Sequence, residues 1–442
     1  MPVSLSSEIL TGLDRSGVEP KAKLSGIIKS FDGLVVRCDG FPASVGSLCK
    51  LEETGGASCY AEVIGFKNGE NYIVPYSHQG GIVAGSRIEL IEQGGEISLS
   101  EAFLGRVING LCEPIDGLGP LPIGEKFSLN GTEINPLTRR KIGDVFDTGV
   151  RAVNGLLSIG QGQRVGIIAG SGVGKSVLLS MITRHSDVDV IIVGLIGERS
   201  REIGDFIRNT FTDENQKKLC VVAESAEKAP LRRIRAANIA ASLAEYFRMK
   251  GKNVLLIMDS LTRVAHARRE IGLALGEAGT LRGYPSSALS LIPSLIERAG
   301  QGDNQNPGSI TGVYTILADG DDQNDPVVDT ARAILDGHIL LARSQAQLGI
   351  YPAIDVSTSI SRVMGDLIDE KQLGAAEKFK RLYSIYNENR DLMVMGGYVR
   401  GSDPELDQAI DIKSKIDDYL KQKPDESVNF EDSKKALSAL MG

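Results

Sequence analysis

Tryptophan is absent from this chain, aromatic residues make up only 5% of it, and histidine occurs four times in 442 residues. A core short of aromatic rings has to be built from aliphatic side chains, and without an HxxxH pair a histidine-based zinc site of that type is excluded. Cysteine is sparse as well. Cys38, Cys49, Cys59, Cys112 and Cys220 are odd in number and show no CxxC spacing, which argues against a disulfide framework or a zinc ribbon and predicts reduced thiols. No apolar run approaches the ~20 residues of a membrane-spanning helix; the purest is Val190 to Ile196. The opening MPVSLSSEILTGLDRSG lacks a basic stretch followed by an apolar one, so no secretory signal is expected. Positive charge is not in excess either. Lys plus Arg number 49 against 57 Asp plus Glu, a net charge of −8, which argues against a protein that coats nucleic acid. Together these absences predict a cytoplasmic globular protein that meets a membrane only through partners.

What is present organises into segments. Single cores stop growing at about 250–300 residues, so a chain of this length predicts two or three domains. Residues 1–22 place Leu5, Ile9 or Leu10, and Leu13 on one helical face before a Gly17–Pro20 break, which reads either as a docking helix or as a frayed terminus. Residues 23–94 carry brief apolar runs broken by glycine (LSGIIKS, GLVVRCDG, CYAEVIGF, NYIVPYS, SRIELIE), the pattern of a small β-barrel. Residues 105–149 are rich in Gly and Pro and read as irregular connection. RVGIIA, VDVIIVGLIG, KLCVVAE, NVLLIMD and SITGVYTIL then alternate with helical stretches, which predicts a mainly parallel sheet covered by helices within residues 95–366. Residues 367–442 read as helical, with Ile410, Ile416, Tyr419 and Leu420 on one stripe and a break at KPDESVNF before a last short helix.

The chemistry concentrates at Ala169–Ser176, A-G-S-G-V-G-K-S, between a strand and a helix. A polyphosphate needs several backbone N–H groups converging on its oxygens. Gly170, Gly172 and Gly174 let the chain turn tightly around Ser171 and Val173 without Cβ interference. Lys175 then supplies positive charge, Ser176 a hydroxyl for Mg²⁺, and the helix start beginning with Val177 a favourable dipole. Ala169 departs mildly from the GxxxxGK[ST] pattern. Asp259 ends an apolar strand 84 residues after Lys175, where a carboxylate can hold Mg²⁺ through water. Glu198 and Arg199 follow another strand. A carboxylate there suits the orientation of an attacking water, although a solvated charge cluster would read the same way.

In this order and with these neighbours, the three motifs resemble the family of rotary and export ATPases that includes the catalytic subunit of ATP synthase. Residues 348–362, LGIYPAIDVSTSISR, resemble the Pro-Ala-Ile-Asp signature of that family. The resemblance spans nearly the whole chain. It implies a RecA-like P-loop core of α/β class with a mainly parallel sheet, preceded by a small β-barrel and followed by a helical domain, and it implies ATP and Mg²⁺ as cofactors. By position, Glu198 resembles the water-orienting glutamate, Arg199 its neighbour on the phosphate, and Asp259 the magnesium-site aspartate. Tyr351 resembles the aromatic residue packed on adenine, with an ordinary core tyrosine as the other reading. Arg362 sits where relatives carry an arginine that acts in trans on the adjoining subunit's site; a salt bridge holding the turn is the alternative.

Within the family, AGSGVGKSVLL, VIIVGLIGERSRE, NVLLIMDSLTR and DDQNDPVVDTARAILDGHI look nearest to the flagellum-specific export branch, with the ATPases of virulence-associated type III secretion as sister. The branch implies a homohexamer with a coiled-coil stalk protein in its pore and a dimeric negative regulator on the N-terminal segment. It also implies an export gate at the cytoplasmic face of the inner membrane, export chaperones and their substrates. Ser286 and Ala288 depart from the branch's GYPPSVF, and GEAGTLRG lacks its prolines. Two other readings compete. A hexameric RNA helicase shares the core but would want a barrel studded with stacking aromatics, whereas Phe31, Phe41, Tyr60, Phe66, Tyr72 and Tyr76 are scattered. A non-catalytic nucleotide-binding subunit would be expected to lack Glu198.

Overall fold

A computed structural model of the chain describes residues 23–77, 81–212, 215–318, 322 and 324–442. The N-terminal docking segment read from residues 1–22 lies outside the described residues. The rest divides into two compact units, the first ending at Gly95 and the second running Glu96–Gly442.

The first unit is a closed antiparallel barrel of six strands, β1 (Ser25–Phe31), β2 (Val36–Asp39), β3 (Leu48–Glu52), β4 (Ser58–Lys67), β5 (Glu70–Pro75) and β6 (Arg87–Glu92), in the order β1-β2-β5-β4-β3-β6. Alternate residues point inward, as the two-residue period of a strand requires, and Ile28, Val36, Leu51, Val63, Ile73 and Ile88 fill the interior. Five of these strands coincide with the apolar runs in the sequence. The sixth, β3, leaves no clear strand signal in the sequence, because LCKLE sets Lys50 and Glu52 outward between only three apolar residues. Cys38, Cys49 and Cys59 belong to the same core. Burial, first of all, pushes each of these thiols up to about 12, so they pack as small apolar groups with little thiolate character.

The second unit is built on a nine-stranded sheet. Short strands come first: β7 (Glu96–Leu99), which pairs with β9 (Glu125–Ser128), then β8 (Val107–Ile108), and β10 (Val145–Phe146), which pairs with β11 (Ile159–Gly160). The long strands are β12 (Arg164–Ala169), β13 (Val190–Glu198), β14 (Leu219–Ser225), β15 (Asn253–Asp259), β17 (Ser309–Leu317), β18 (Gly337–Leu341) and β19 (Ile354–Ser361), with β16 (Gly300–Gln301) paired on β17. Their order is β19-β18-β12-β17-β15-β13-β14-β8, parallel except for β19. Strands covered on both faces read as continuous apolar runs; every residue of β13 is buried. The segment 105–149, expected to be wholly irregular, corrects that expectation by giving the sheet its edge strand β8, too short to leave a pattern. Ala288 of the departing GYPSSALSL stretch is buried in a helix, Ser286–Glu297, that Ser286 begins.

Helices Glu370–Glu388, Pro404–Leu420 and Phe430–Met441 follow, each opened by a capping side chain: Asp369, Asp403 and Asn429. They pack on the short helix Arg151–Leu156, where the Tyr419 hydroxyl donates to the Ser433 carbonyl at 3.1 Å. A Cβ at Gly155 would overlap that hydroxyl. Gly155→Ala should therefore destabilise the unit by about 1–3 kcal/mol, as overpacking does. Much of the loss should return in a Tyr419→Phe background, which removes the overlapped atom; a double-mutant cycle on urea unfolding midpoints measures both.

Candidate active site

The carboxyl edge of the sheet gathers the charged residues. β12 ends at Ala169, and the loop that follows turns through Gly172 and Gly174 at φ 79° and 90°, left-handed values that glycine adopts at little cost. Gly174 begins the helix Lys175–His185, whose first-turn N–H groups have no intrahelical carbonyl to bond. Val173 is buried beneath the loop. A cleft of about 440 Å³ opens over it, lined by Ala169, Gly170, Ser171, Gly172, Gly174, Lys175, Ser176 and Val177 with Glu198, Arg199, Glu202 and Arg263.

Glu198 and Asp259 end the adjacent strands β13 and β15, while Lys175 opens the helix that follows β12, which β17 separates from β15. The lysine bridges them. Its Nζ makes a short ion pair with Asp259 and lies 3.4 Å from Glu198 Oε1. The intervening β17 contributes Thr315, whose hydroxyl donates to Asp259 Oδ1 at 2.6 Å. Glu198 is aimed by a bulge at Gly197, which has φ 71° and so little room that a Cβ would press on Arg263. Burial opposes the charge on Lys175, but attraction to Asp259 and then Glu198 outweighs it and holds the ammonium above its ordinary pKa. Burial and then repulsion from Asp259 raise Glu198, with Lys175 limiting the rise.

Other expected site residues are dispersed. Arg199 is exposed and pairs with Glu202 at 3.6 Å, lining the cleft without joining the lysine cluster. Tyr351 lays its ring 3.5 Å from where a Gly174 Cβ would stand, and its carbonyl accepts from the Gln422 N–H at 2.9 Å. Arg362 is not brought to this cleft. Its N–H donates to the Asp336 carbonyl at 2.9 Å, and Asp336 lies level with Arg164, so Arg362 sits about five strand residues, ~16 Å, short of where the loop begins. Thr315, Glu202 and Arg263 were not found from sequence. A threonine inside the apolar run SITGVYTIL is the one signal that could have flagged Thr315, and Thr311 shares it. Arg263 lies four residues past Asp259, and its Nε is buried without a hydrogen-bond partner.

The donor set fits a magnesium nucleotide. Among the described residues no group of three or more His, Cys, Asp or Glu is arranged to hold a metal. Magnesium bound to phosphates needs only one or two protein oxygens, and the Ser176 hydroxyl and the Asp259 carboxylate are of the right kind. The loop's open concavity, with nothing within 4 Å of a Cβ at Gly172, leaves space for phosphate oxygens.

Residues 149–361 match the model of the ATP synthase alpha/beta family, nucleotide-binding domain, and residues 368–439 that of the T3SS EscN ATPase C-terminal domain. The chain is 45% identical to the flagellum-specific ATP synthase of Pseudomonas aeruginosa over 92% of its length and 91% of that protein. It is 44% identical to the flagellum-specific ATP synthase of Salmonella typhimurium over 98% and 97%. The assembled ATPase EscN from the enteropathogenic E. coli type III secretion system superposes with a TM-score of 0.89 at 38% identity, covering 94% of this chain and 100% of that one.

Glu198's pKa is raised on folding, so its contribution to stability is greatest below the unfolded value and is lost as pH rises through the folded value. Lys175→Ala removes the cation that limits the rise. The nucleotide-free variant should therefore lose thermal stability more steeply than the wild type as pH rises above the ordinary carboxylate range. Parallel melting curves over that rise would show that the lysine does not govern Glu198.

Proposed function

Because the chain belongs to the family of flagellum-specific ATP synthases and type III secretion ATPases, we propose that it is the ATP-hydrolysing motor subunit of a type III protein export apparatus, the flagellar one by the names of its relatives. The observation that carries this reading is the Lys175–Asp259–Glu198 cluster at the head of a glycine-loop helix.

In this reading the phosphate chain lies over Gly170–Gly174 and draws Lys175 from the carboxylates toward the β and γ phosphates. Ser176 and Asp259 would hold magnesium, which when bound would supply further charge neutralisation. Glu198, freed of part of its lysine contact, accepts a hydrogen bond from the attacking water and aligns it on the γ-phosphorus. Arg199 and Arg263 add positive charge at the cleft wall, and Tyr351 with Val177 packs on the adenine. The site is incomplete in one subunit. Arg362 lies too far from its own loop to serve it, and in trans it completes the neighbour's site, where such an arginine contributes roughly 10³–10⁵ in rate. A homohexamer is the assembly we propose.

One relative has been solved in complex with its central stalk, EscO. We extend this to a stalk-like partner here, with an export gate, chaperones and a regulator of the N-terminal segment completing a complex at the inner membrane. No helix of the described residues is long and apolar enough to cross a membrane, so membrane association runs through partners in this reading. The injectisome is the second reading, favoured by the EscN-type C-terminal match.

Glu198→Gln is expected to lower kcat by about 10²–10⁴ while a melting shift on adding ATP persists. Turnover at the wild-type rate would remove Glu198 from the chemistry and overturn the catalytic reading.

A further inference from the structure

Arg362 leaves the sheet directly after β19, and its backbone is fixed from within its own subunit. Its N–H donates to the Asp336 carbonyl at 2.9 Å, and its Nη2 donates to the Arg332 carbonyl at 3.3 Å. Asp336 is gripped in turn by Arg164, the first residue of β12. The Arg164 N–H and Nε both donate to Asp336 Oδ2 at 3.0 Å, and Nη2 donates to Oδ1 at 3.2 Å. The Asp336 N–H returns a bond to the Arg164 carbonyl at 2.8 Å. Buried Gln163 ties the same turn, donating through Nε2 to the Asp336 carbonyl and to the Ser361 hydroxyl, each at 3.2 Å. Ser361 then donates to the Ser158 carbonyl at 2.8 Å.

Burial opposes the charge on Arg164, but its bonds to Asp336 and its 2.6 Å pair with Glu297 more than compensate. The guanidinium is thus a permanent, two-pronged clamp, and a lysine could not reproduce its planar fork.

We propose that Arg164 and Asp336 are positioning residues for Arg362: by locking the carbonyl from which the Arg362 backbone hangs, they present its guanidinium at a fixed place to the neighbouring subunit's nucleotide. The proposal rests on the trans reading of Arg362 above. Neither residue lines the cleft of its own subunit: Arg164 is the amino end of β12 and Asp336 is bonded to it, away from the loop at the strand's carboxyl end. The two ends of this six-residue strand therefore serve two different active sites.

The test is complementation between full-length subunits. Asp336→Asn alone should lose about 10- to 100-fold in kcat, as a misplaced group does, with KM for ATP changed less than about 2-fold. Mixed with Glu198→Gln subunits, which have a disabled site but a correctly held Arg362, it should regain activity several-fold above the sum of the separate preparations. Arg164→Lys should behave in the same way, and it serves where Asp336→Asn does not fold. Arg362→Ala mixed with Glu198→Gln is the control. Rescue of Arg362→Ala without rescue of Asp336→Asn and Arg164→Lys, or a loss confined to KM, overturns the positioning role and leaves the trans reading standing. Failure to rescue Arg362→Ala defeats the trans reading, and this proposal with it.

Discussion

Two carboxylates, Glu198 and Asp259, face one buried point at the carboxyl edge of the sheet, and the Lys175 ammonium between them is what makes that arrangement tolerable. A buried charge without a partner is costly enough that the group takes up a proton instead. The ammonium and the two carboxylates therefore depend on one another, and the glycine loop, the bulge at Gly197 and the hydroxyl of Thr315 all serve to hold them in register. The same arrangement gives the cation somewhere to rest before a polyphosphate arrives. In the proposed mechanism its release toward phosphate oxygens exchanges one set of anionic partners for another, and magnesium would take over the compensation of Asp259.

The sheet explains why residues so distant in sequence meet. Parallel strands bring all their carboxyl ends to one edge, so Ala169, Glu198, Asp259 and Leu317 share it whatever connects them. The opposite edge is equally ordered. There Arg164, Asp336 and Arg362 lie side by side, and the rigidity of β12 links this group to the phosphate loop at its other end.

Much of this was legible before any coordinates. The glycine loop, the apolar strands and the helical C-terminal stretch each follow a local rule of spacing or composition, and the family models cover residues 149–361 and 368–439 of the second unit. What escaped notice did so for physical reasons. β3 and β8 are too short for a periodic signal, and β18 and β19 contain polar residues that bond across the strand pair, as Ser359 does to the Leu340 N–H. Thr315 looks like any β-branched strand residue until β15 is laid beside it. Arg362 is a lone arginine after a serine-rich strand, and only the pairing of β12, β18 and β19 shows that it is out of reach of its own loop.

The first unit offers a different lesson. Six strands that close on themselves leave every ladder satisfied, with no unpaired rim onto which another chain's strand could zip. Recognition through this unit has to rely on side chains and connecting loops, and so its outer face can diversify from one relative to the next without opening a path to fibrous self-association.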